Sequence, residues 1–298
     1  MNRKLLWGML VVLLVTNIAT LIVLNQNKNV RLNSSTAINK SEPAAVIGDN
    51  EIPYDEWIAS LREDYGKAQL KKMINHEVVQ QLAKKHDIDI SEKVIAREMS
   101  LLTTTQGVMT DKTLSRKEKK WRKDILYRYQ LEALLTSDVQ IPEEKVRTYY
   151  NKYRNQYDFK SSIQLSHIVV NDLKTAEKIR DKLKDGAQFD LLAEKYSIDK
   201  DTKHDGGYLG FFVDASPSIP ASYLTVAEDM KERTYSEPIR RADGVAIIFL
   251  HRKLPSIAFT YQEIKPYVER ELAMDELDQS PSAASLWNEL KVEWVYDN

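Results

Sequence analysis

Residues 163–170 read IQLSHIVV, and the hydrophobic pattern of the chain changes its period here. Apolar and polar residues alternate and most of the apolar ones are β-branched, which predicts a β-strand. A second run, VAIIFL at 245–250, follows an Asp-Gly turn at 243–244 and predicts another strand. Ser166 and His167 are neighbours in the first strand and therefore point to opposite faces of the sheet, so they do not form a hydrolase pair.

Helical signals fill the segment between the two strands. The spacing of its apolar residues predicts helices over 173–185 and 188–196 and near 220–231. Gly186 is a typical C-terminal stop for the first of them. Strand, helices and strand around one core predict an α+β domain over residues 159–254.

On both sides of this domain the pattern is that of amphipathic helices. Apolar residues four positions apart predict helices over 67–86, 113–135 and 260–277, with further helices over 91–104 and after Pro142. We expect the helical region 45–158 and the C-terminal segment 255–298 to pack together. The α+β domain is then inserted between two parts of an all-helical domain.

The N-terminus predicts a membrane anchor. Residues 5–24 carry no charge, and a helix of this length spans the hydrocarbon core of about 30 Å. Arg3 and Lys4 hold the tail, residues 1–4, in the cytoplasm and send the rest of the chain outward. A cleaved signal peptide is the alternative, but its apolar region is shorter, about 7–15 residues, and ends in small residues that are missing here. The polar segment 25–44 predicts a flexible stalk, and the whole chain is expected to be a single-pass protein of the cell membrane.

Composition excludes several classes of function. Lys+Arg 43 against Asp+Glu 44 gives a net charge of −1, which argues against nucleic-acid binding. The chain has no cysteine, so disulfides and thiolate chemistry are excluded. His76-Glu77-Val78-Val79-Gln80 is close to the HExxH zinc motif, but Gln80 replaces the second ligand, and no metal or other cofactor is expected.

Three of the nine glycines fall within HDGGYLGFF, residues 204–212. Such a cluster indicates positive φ angles or a close approach of the backbone to another group. A surface turn, a phosphate cradle and one wall of a site are the alternatives. The phosphate cradle is excluded, because neither a nucleotide-binding spacing nor the lysine of such a motif is present.

Four segments in order, SHIVV at 166–170, GAQFDLLAEKYSID at 186–199, GGYLGFF at 206–212 and GVAII at 244–248, resemble the parvulin peptidyl-prolyl cis-trans isomerases. The flanking helices, including TYQEIKPYVERELAMDEL, are similar to bacterial cell-envelope foldases that join a parvulin domain to a chaperone-like helical domain. The resemblance implies a foldase that acts outside the cytoplasm on unfolded or nascent exported polypeptides with X–Pro bonds. It implies no cofactor.

The resemblance also implies a site. His167 and Asp199 match catalytic positions of the family, and four residues match or flank its apolar groove for the prolyl ring: Leu209, Phe212, Ile219 and Tyr223. Tyr223 falls where a phenylalanine usually stacks on the proline. The second family histidine is replaced by Ala246, whose methyl group cannot form a hydrogen bond, so the network around His167 is expected to lack one member.

This substitution leaves alternatives open. The parvulin-like domain is either an active isomerase or a weakly active or inactive module that acts as a holdase chaperone or as a scaffold for a membrane partner. Taken alone, His167 is also compatible with a structural strand histidine, and Asp199 with an ordinary acidic residue of a solvated loop.

Overall fold

The computed structural model of the protein describes residues 29–31, 37–213, 216–277 and 281–296. These fall into two compact units, one holding the described residues up to His76 and from Lys291 onward, the other being Glu77–Leu290. No helix within the described ranges is long and apolar enough to cross a membrane. The predicted anchor, residues 5–24, lies outside the described residues.

The first unit contains two short antiparallel strand pairs and the start of the helical region. Strands β1 (Asn29–Arg31) and β2 (Ala37–Asn39) form one pair, and β3 (Ala45–Ile47) and β4 (Asn50–Ile52) form the other. Helix α1 (Tyr54–Leu61) follows, and a π-helical turn (Arg62–Gly66) leads into α2 (Lys67–Lys85). The helical region predicted from residue 45 thus opens with a strand pair, and its first helix begins at Tyr54. Gly48, with φ +62°, allows the tight turn that folds β3 against β4.

Within the second unit, four helices form one cluster: α3 (Glu92–Thr104), α4 (Asp111–Leu135), α5 (Glu143–Tyr157) and, after the α+β segment, α9 (Tyr261–Leu277). Buried residues of α3, α5 and α9 form one apolar core, which includes Val94, Val146, Tyr150, Val268 and Leu272. A 3₁₀ helix (Ala283–Glu289) ends the unit. These bounds confirm the predicted helices to within two residues at each end, because apolar residues four apart point to one side of a helix.

The α+β segment begins with β5 (Ser162–Val170), followed by α6 (Leu173–Lys184) and α7 (Phe189–Tyr196). A 3₁₀ turn (Lys203–Asp205) leads to β6 (Tyr208–Val213), and α8 (Ala221–Asp229) comes next. Strands β7 (Thr234–Tyr235), β8 (Ile239–Arg241) and β9 (Gly244–Leu254) complete it. The predictions of β5, β9 and the three helices are confirmed. The three other strands were not predicted, since their short runs show no clear alternation.

All pairings in this sheet are antiparallel, in the order β6-β5-β9-β7, and β8 also pairs with β9. Strand β5 is buried along almost its whole length, and its alternate residues enter two cores. Ile168 and Val170 pack against α6 and α7 on one face. Leu165 and Val169 pack against α8 on the other face. His167 therefore lies on the α8 face, between Leu165 and Val169.

Candidate active site

His167 lies in the middle of β5 and is only 5% exposed. Its backbone N–H donates to the carbonyl oxygen of Gly207 at 2.8 Å, which ties the strand to the glycine turn. Gly207 has φ +74°, and a Cβ atom added there would lie 2.0 Å from the carbonyl oxygen of His167. No side chain fits in that space. Of the two alternatives left for the glycine cluster, the structure favours a wall of the pocket around His167.

One edge of the imidazole contacts Asp199, in the loop after α7. His167 Nε2 lies 2.6 Å from Asp199 Oδ2 and 3.2 Å from Thr202 Oγ1. The Thr202 hydroxyl also donates to Asp199 Oδ2, at 2.7 Å. Partial burial opposes ionisation, but the hydrogen bonds from Thr202 and His167 outweigh it and lower the pKa of Asp199. Asp199 is therefore a charged acceptor at neutral pH. Thr202 was not predicted as a site residue, although it lies only three positions after Asp199.

The other edge of the imidazole contacts a phenol. The Tyr223 hydroxyl, carried by α8, lies 3.0 Å from His167 Nδ1. Arg241 Nη1 donates to the same hydroxyl at 2.7 Å, and the Arg241 guanidinium binds both oxygens of the Asp243 carboxylate at 2.8 Å each. The sequence predicted that the network around His167 lacks one member. In the structure, Tyr223 of α8 contacts this edge of the imidazole, and Arg241 of β8 bonds to Tyr223.

Ala246 lies where it was expected, in β9 opposite Val169, and is completely buried. It belongs to the same apolar core as Tyr223, whose side chain is also completely buried. The resemblance assigned the Tyr223 ring to stacking on a proline. In the structure its contacts are within the protein, and its hydroxyl is part of the His167 network.

The remaining predicted groove residues surround the same core. Ile219 is buried in it, and Leu209 and Phe212 pack against it while remaining partly exposed. Leu209 and Phe212 are three apart in β6 and would face opposite sides of a regular strand. The pairing of β6 with β5 shifts by one residue at Leu209, and this β-bulge turns both side chains toward the α8 face. The structure thus brings all six predicted site residues to one face of the sheet.

Burial lowers the pKa of His167, and Arg241 acts in the same direction, while the hydrogen bond to Asp199 opposes both. The imidazole is neutral at pH 7. Burial also raises the pKa of Tyr223, so its phenol keeps its proton. The site therefore contains a neutral imidazole between a charged carboxylate and a protonated phenol, with apolar side chains beside them.

A second histidine lies on the opposite face of the sheet. His251 Nε2 is 2.8 Å from Ser166 Oγ, which confirms that Ser166 and His167 point away from each other. A cavity of about 380 Å³ next to His251 is lined by Phe211, Phe249 and the loop before α4. Burial lowers the pKa of His251 to about 4. This pair is separated from the His167 network by the sheet.

The chain is similar to known proteins over most of its length. Residues 141–266 match the family model of the PPIC-type PPIase domain. A putative peptidyl-prolyl cis-trans isomerase, YacD of Bacillus subtilis, is 37% identical over 87% of this chain and 88% of its own. The foldase protein PrsA of Halalkalibacterium halodurans is 27% identical over 80% of this chain and 73% of its own. The crystal structure of PrsA from Bacillus cereus covers 87% of this chain and 95% of its own, with 22% identity and a TM-score of 0.33.

Proposed function

This chain belongs to the parvulin family of peptidyl-prolyl cis-trans isomerases, and we propose that it catalyses isomerisation of X–Pro bonds in unfolded exported polypeptides. The observation that carries the proposal is the juxtaposition of a buried, hydrogen-bonded imidazole with an apolar wall on one face of the sheet. The imidazole is His167, bonded to Asp199, and the wall consists of Leu209, Phe212 and Ile219.

The reaction requires no covalent chemistry. An X–Pro amide rotates over a barrier of about 18–20 kcal/mol because resonance stiffens its C–N bond. Apolar side chains hold the prolyl ring and exclude water from the amide, which favours the twisted state in which resonance is lost. His167 and Asp199 organise the polar edge of the groove, where the carbonyl group swings. No proton needs to leave or join the substrate.

An exchange assay on X–Pro peptides, with the purified full chain, tests this proposal. We expect His167→Ala and Asp199→Ala to lower kcat/KM about tenfold to hundredfold, the range for losing a hydrogen bond to a charged group. Asp201→Ala is the matched control, because Asp201 is an exposed acid of the same loop. Equal activity of all three variants and the unaltered chain would contradict the assignment of the site.

Ala246 supports a second candidate function, a holdase whose parvulin-like domain binds proline without rapid turnover. A client that aggregates on dilution from denaturant separates the two functions. An isomerase accelerates proline-limited refolding at amounts far below the client. A holdase suppresses aggregation only near equal amounts and leaves the refolding rate unchanged. A scaffold for a membrane partner shows neither effect.

The proposed setting is the outer side of the cell membrane. It is supported by the uncharged run 5–24 and by Arg3 and Lys4 before it. The full chain and a version that begins at residue 25, each with the same C-terminal tag, are compared in a bacterial host. We expect the full chain to remain in salt-washed membranes and to be cleaved by protease added outside spheroplasts. Protection from that protease would place the chain on the cytoplasmic side and overturn this setting.

A further inference from the structure

The donor and the acceptor of each hydrogen bond around His167 can be assigned, starting from Arg241. A guanidinium group can only donate, so the Tyr223 oxygen is the acceptor in the 2.7 Å contact with Arg241 Nη1. The one hydrogen of the phenol is then free to point at His167 Nδ1, 3.0 Å away. With Nδ1 accepting, the proton of the neutral imidazole lies on Nε2.

The far side of the ring agrees with this assignment. His167 Nε2 lies 2.6 Å from Asp199 Oδ2, and a carboxylate with a lowered pKa can only accept. Both ring nitrogens therefore specify the same tautomer independently. The whole chain of donors runs from Arg241 through Tyr223 and His167 to Asp199.

The two residues at the start of this chain are held rigidly. Tyr223 is completely buried, and the Arg241 side chain is only 19% exposed. Two hydrogen bonds to the Asp243 carboxylate fix the plane of the guanidinium. Arg241 ends β8, opposite Gly244 of β9, so backbone pairing places it as well.

We propose that Tyr223 and Arg241 are positioning residues that take over the role of the second family histidine and hold His167 as the neutral tautomer protonated on Nε2. The proposal rests on the isomerase function given above. Ala246 then leaves no gap in the network, because Tyr223 of α8, oriented by Arg241 of β8, supplies the hydrogen bond to His167. Neither residue needs to touch the substrate, because both act through the imidazole.

The tautomer can be read directly by nitrogen NMR of the full chain labelled on histidine. The chain has five histidines, so the spectrum is simple, and His167→Gln identifies the signal of interest. We expect an unprotonated Nδ1 that accepts a hydrogen bond and a protonated Nε2 in the unaltered protein. In Tyr223→Phe, Asp199 still holds the proton on Nε2, but the Nδ1 signal should move to that of a nitrogen that accepts no hydrogen bond. A protonated Nδ1 in the unaltered protein, or an unmoved Nδ1 signal in Tyr223→Phe, overturns the proposal. This measurement needs no turnover, so it tests the tautomer even if the chain proves to have no isomerase activity.

Kinetics test whether the hydrogen bond from Tyr223 to His167 Nδ1 matters for catalysis. We expect Tyr223→Phe to lower kcat about tenfold with little change in KM, because the apolar groove is intact. The matched control is Tyr150→Phe, which removes the hydroxyl of a buried tyrosine in the helical core and should leave kcat unchanged. Equal kcat values in the two variants would overturn the positioning role.

Arg241 offers a graded test. Arg241→Lys keeps a positive charge and one donor and should retain most of the activity, whereas Arg241→Ala should lose it. Since Arg241 lowers the pKa of His167, Arg241→Ala should also move the acid limb of the pH profile to higher pH. Two results would contradict the proposed role of the guanidinium. One is an acid limb of the pH profile that lies at the same pH in Arg241→Ala as in the unaltered chain. The other is an equal loss of activity in Arg241→Lys and Arg241→Ala.

Restoring the family histidine separates a rebuilt site from a damaged one. Ala246→His alone should not raise kcat above that of the unaltered chain, because Nδ1 of His167 already has a donor. In the Tyr223→Phe background the same change should recover part of the lost activity. A large gain from Ala246→His alone would show that the natural network is defective and would overturn the proposal.

Discussion

Gly207→Ala is the change that most directly tests how the glycine turn supports His167. Gly207 has φ +74°, a left-handed conformation that costs an alanine about 1–2 kcal/mol. The new methyl group would also lie 2.0 Å from the carbonyl oxygen of His167 and 3.3 Å from the Cβ of Ala193. The carbonyl belongs to a central strand and is not free to swing away.

The size of the effect follows from relieving this overlap. A C···O contact of about 3.3 Å requires the turn and β5 to part by roughly 1 Å. Such a movement weakens the 2.8 Å hydrogen bond from His167 N to Gly207 O, which contributes about 0.5–1.5 kcal/mol. Together with the backbone strain, we expect a loss of about 1.5–3.5 kcal/mol in the free energy of unfolding. Moving the imidazole by about 1 Å should also lower kcat/KM about hundredfold.

Amide hydrogen exchange of β5 and β9 in the full chain is the suitable assay. All five tryptophans lie outside 159–254, so their fluorescence does not report on this domain. Gly186→Ala is the matched control, because Gly186 has φ +90° in the same domain and no atom within 4 Å of an added Cβ. The control should cost only about 1–2 kcal/mol and leave activity unchanged. If the two variants lose the same stability and activity, the close approach of Gly207 to His167 does not exist in solution.

Three further predictions concern stability. The pKa of His251 is about 4 in the folded state against an ordinary value of 6.5, so the unfolded chain binds more protons between these pH values. The free energy of unfolding should therefore fall as the pH falls from 6.5 to 4. Urea titrations at pH 7 and pH 5 should show a smaller fall in His251→Gln than in the unaltered chain. Ile248→Ala, at a completely buried core position, should cost about 2–5 kcal/mol by hydrogen exchange, whereas Leu191→Ala, at a side chain that is 58% exposed, should cost under about 0.5 kcal/mol. Asp172→Ala removes the side chain that caps α6 by accepting from the Thr175 N–H at 2.9 Å, and should cost about 1 kcal/mol in the same measurement.

The helices and the two long strands could be predicted from the sequence because each repeats a local pattern. In β5, Ser162–Val170, successive side chains point to opposite faces of the sheet, and eight of the nine residues are buried. Strands β6, β7 and β8 have at most six residues each and are fixed by pairing with β5 and β9. The bulge at Leu209 likewise depends on the register between two strands. Such pairings join distant parts of the chain, so no short window of sequence contains them.

The site was predictable to a different degree. The segments that resemble the family led to His167 and Asp199, and their side chains do meet. The roles of Tyr223 and Arg241 were not predictable in this way, because a resemblance compares each position with its counterpart. It records that a histidine is missing at Ala246 but does not indicate that another element supplies the donor. The hydroxyl of Tyr223, at a position usually held by phenylalanine, was the available signal.

What the imidazole requires is a donor at Nδ1 and an acceptor at Nε2, and neither requirement specifies which strand or helix provides it. In this chain the donor comes from α8, and its orientation is fixed by a guanidinium on β8. A histidine at 246 and a tyrosine at 223 would then compete for the same nitrogen. The two positions should therefore be coupled, and a double-mutant cycle between Ala246→His and Tyr223→Phe should give a non-additive effect on kcat, whereas independent contributions would give additivity. The substitution that made catalysis doubtful from the sequence is, in this structure, one half of a compensated pair.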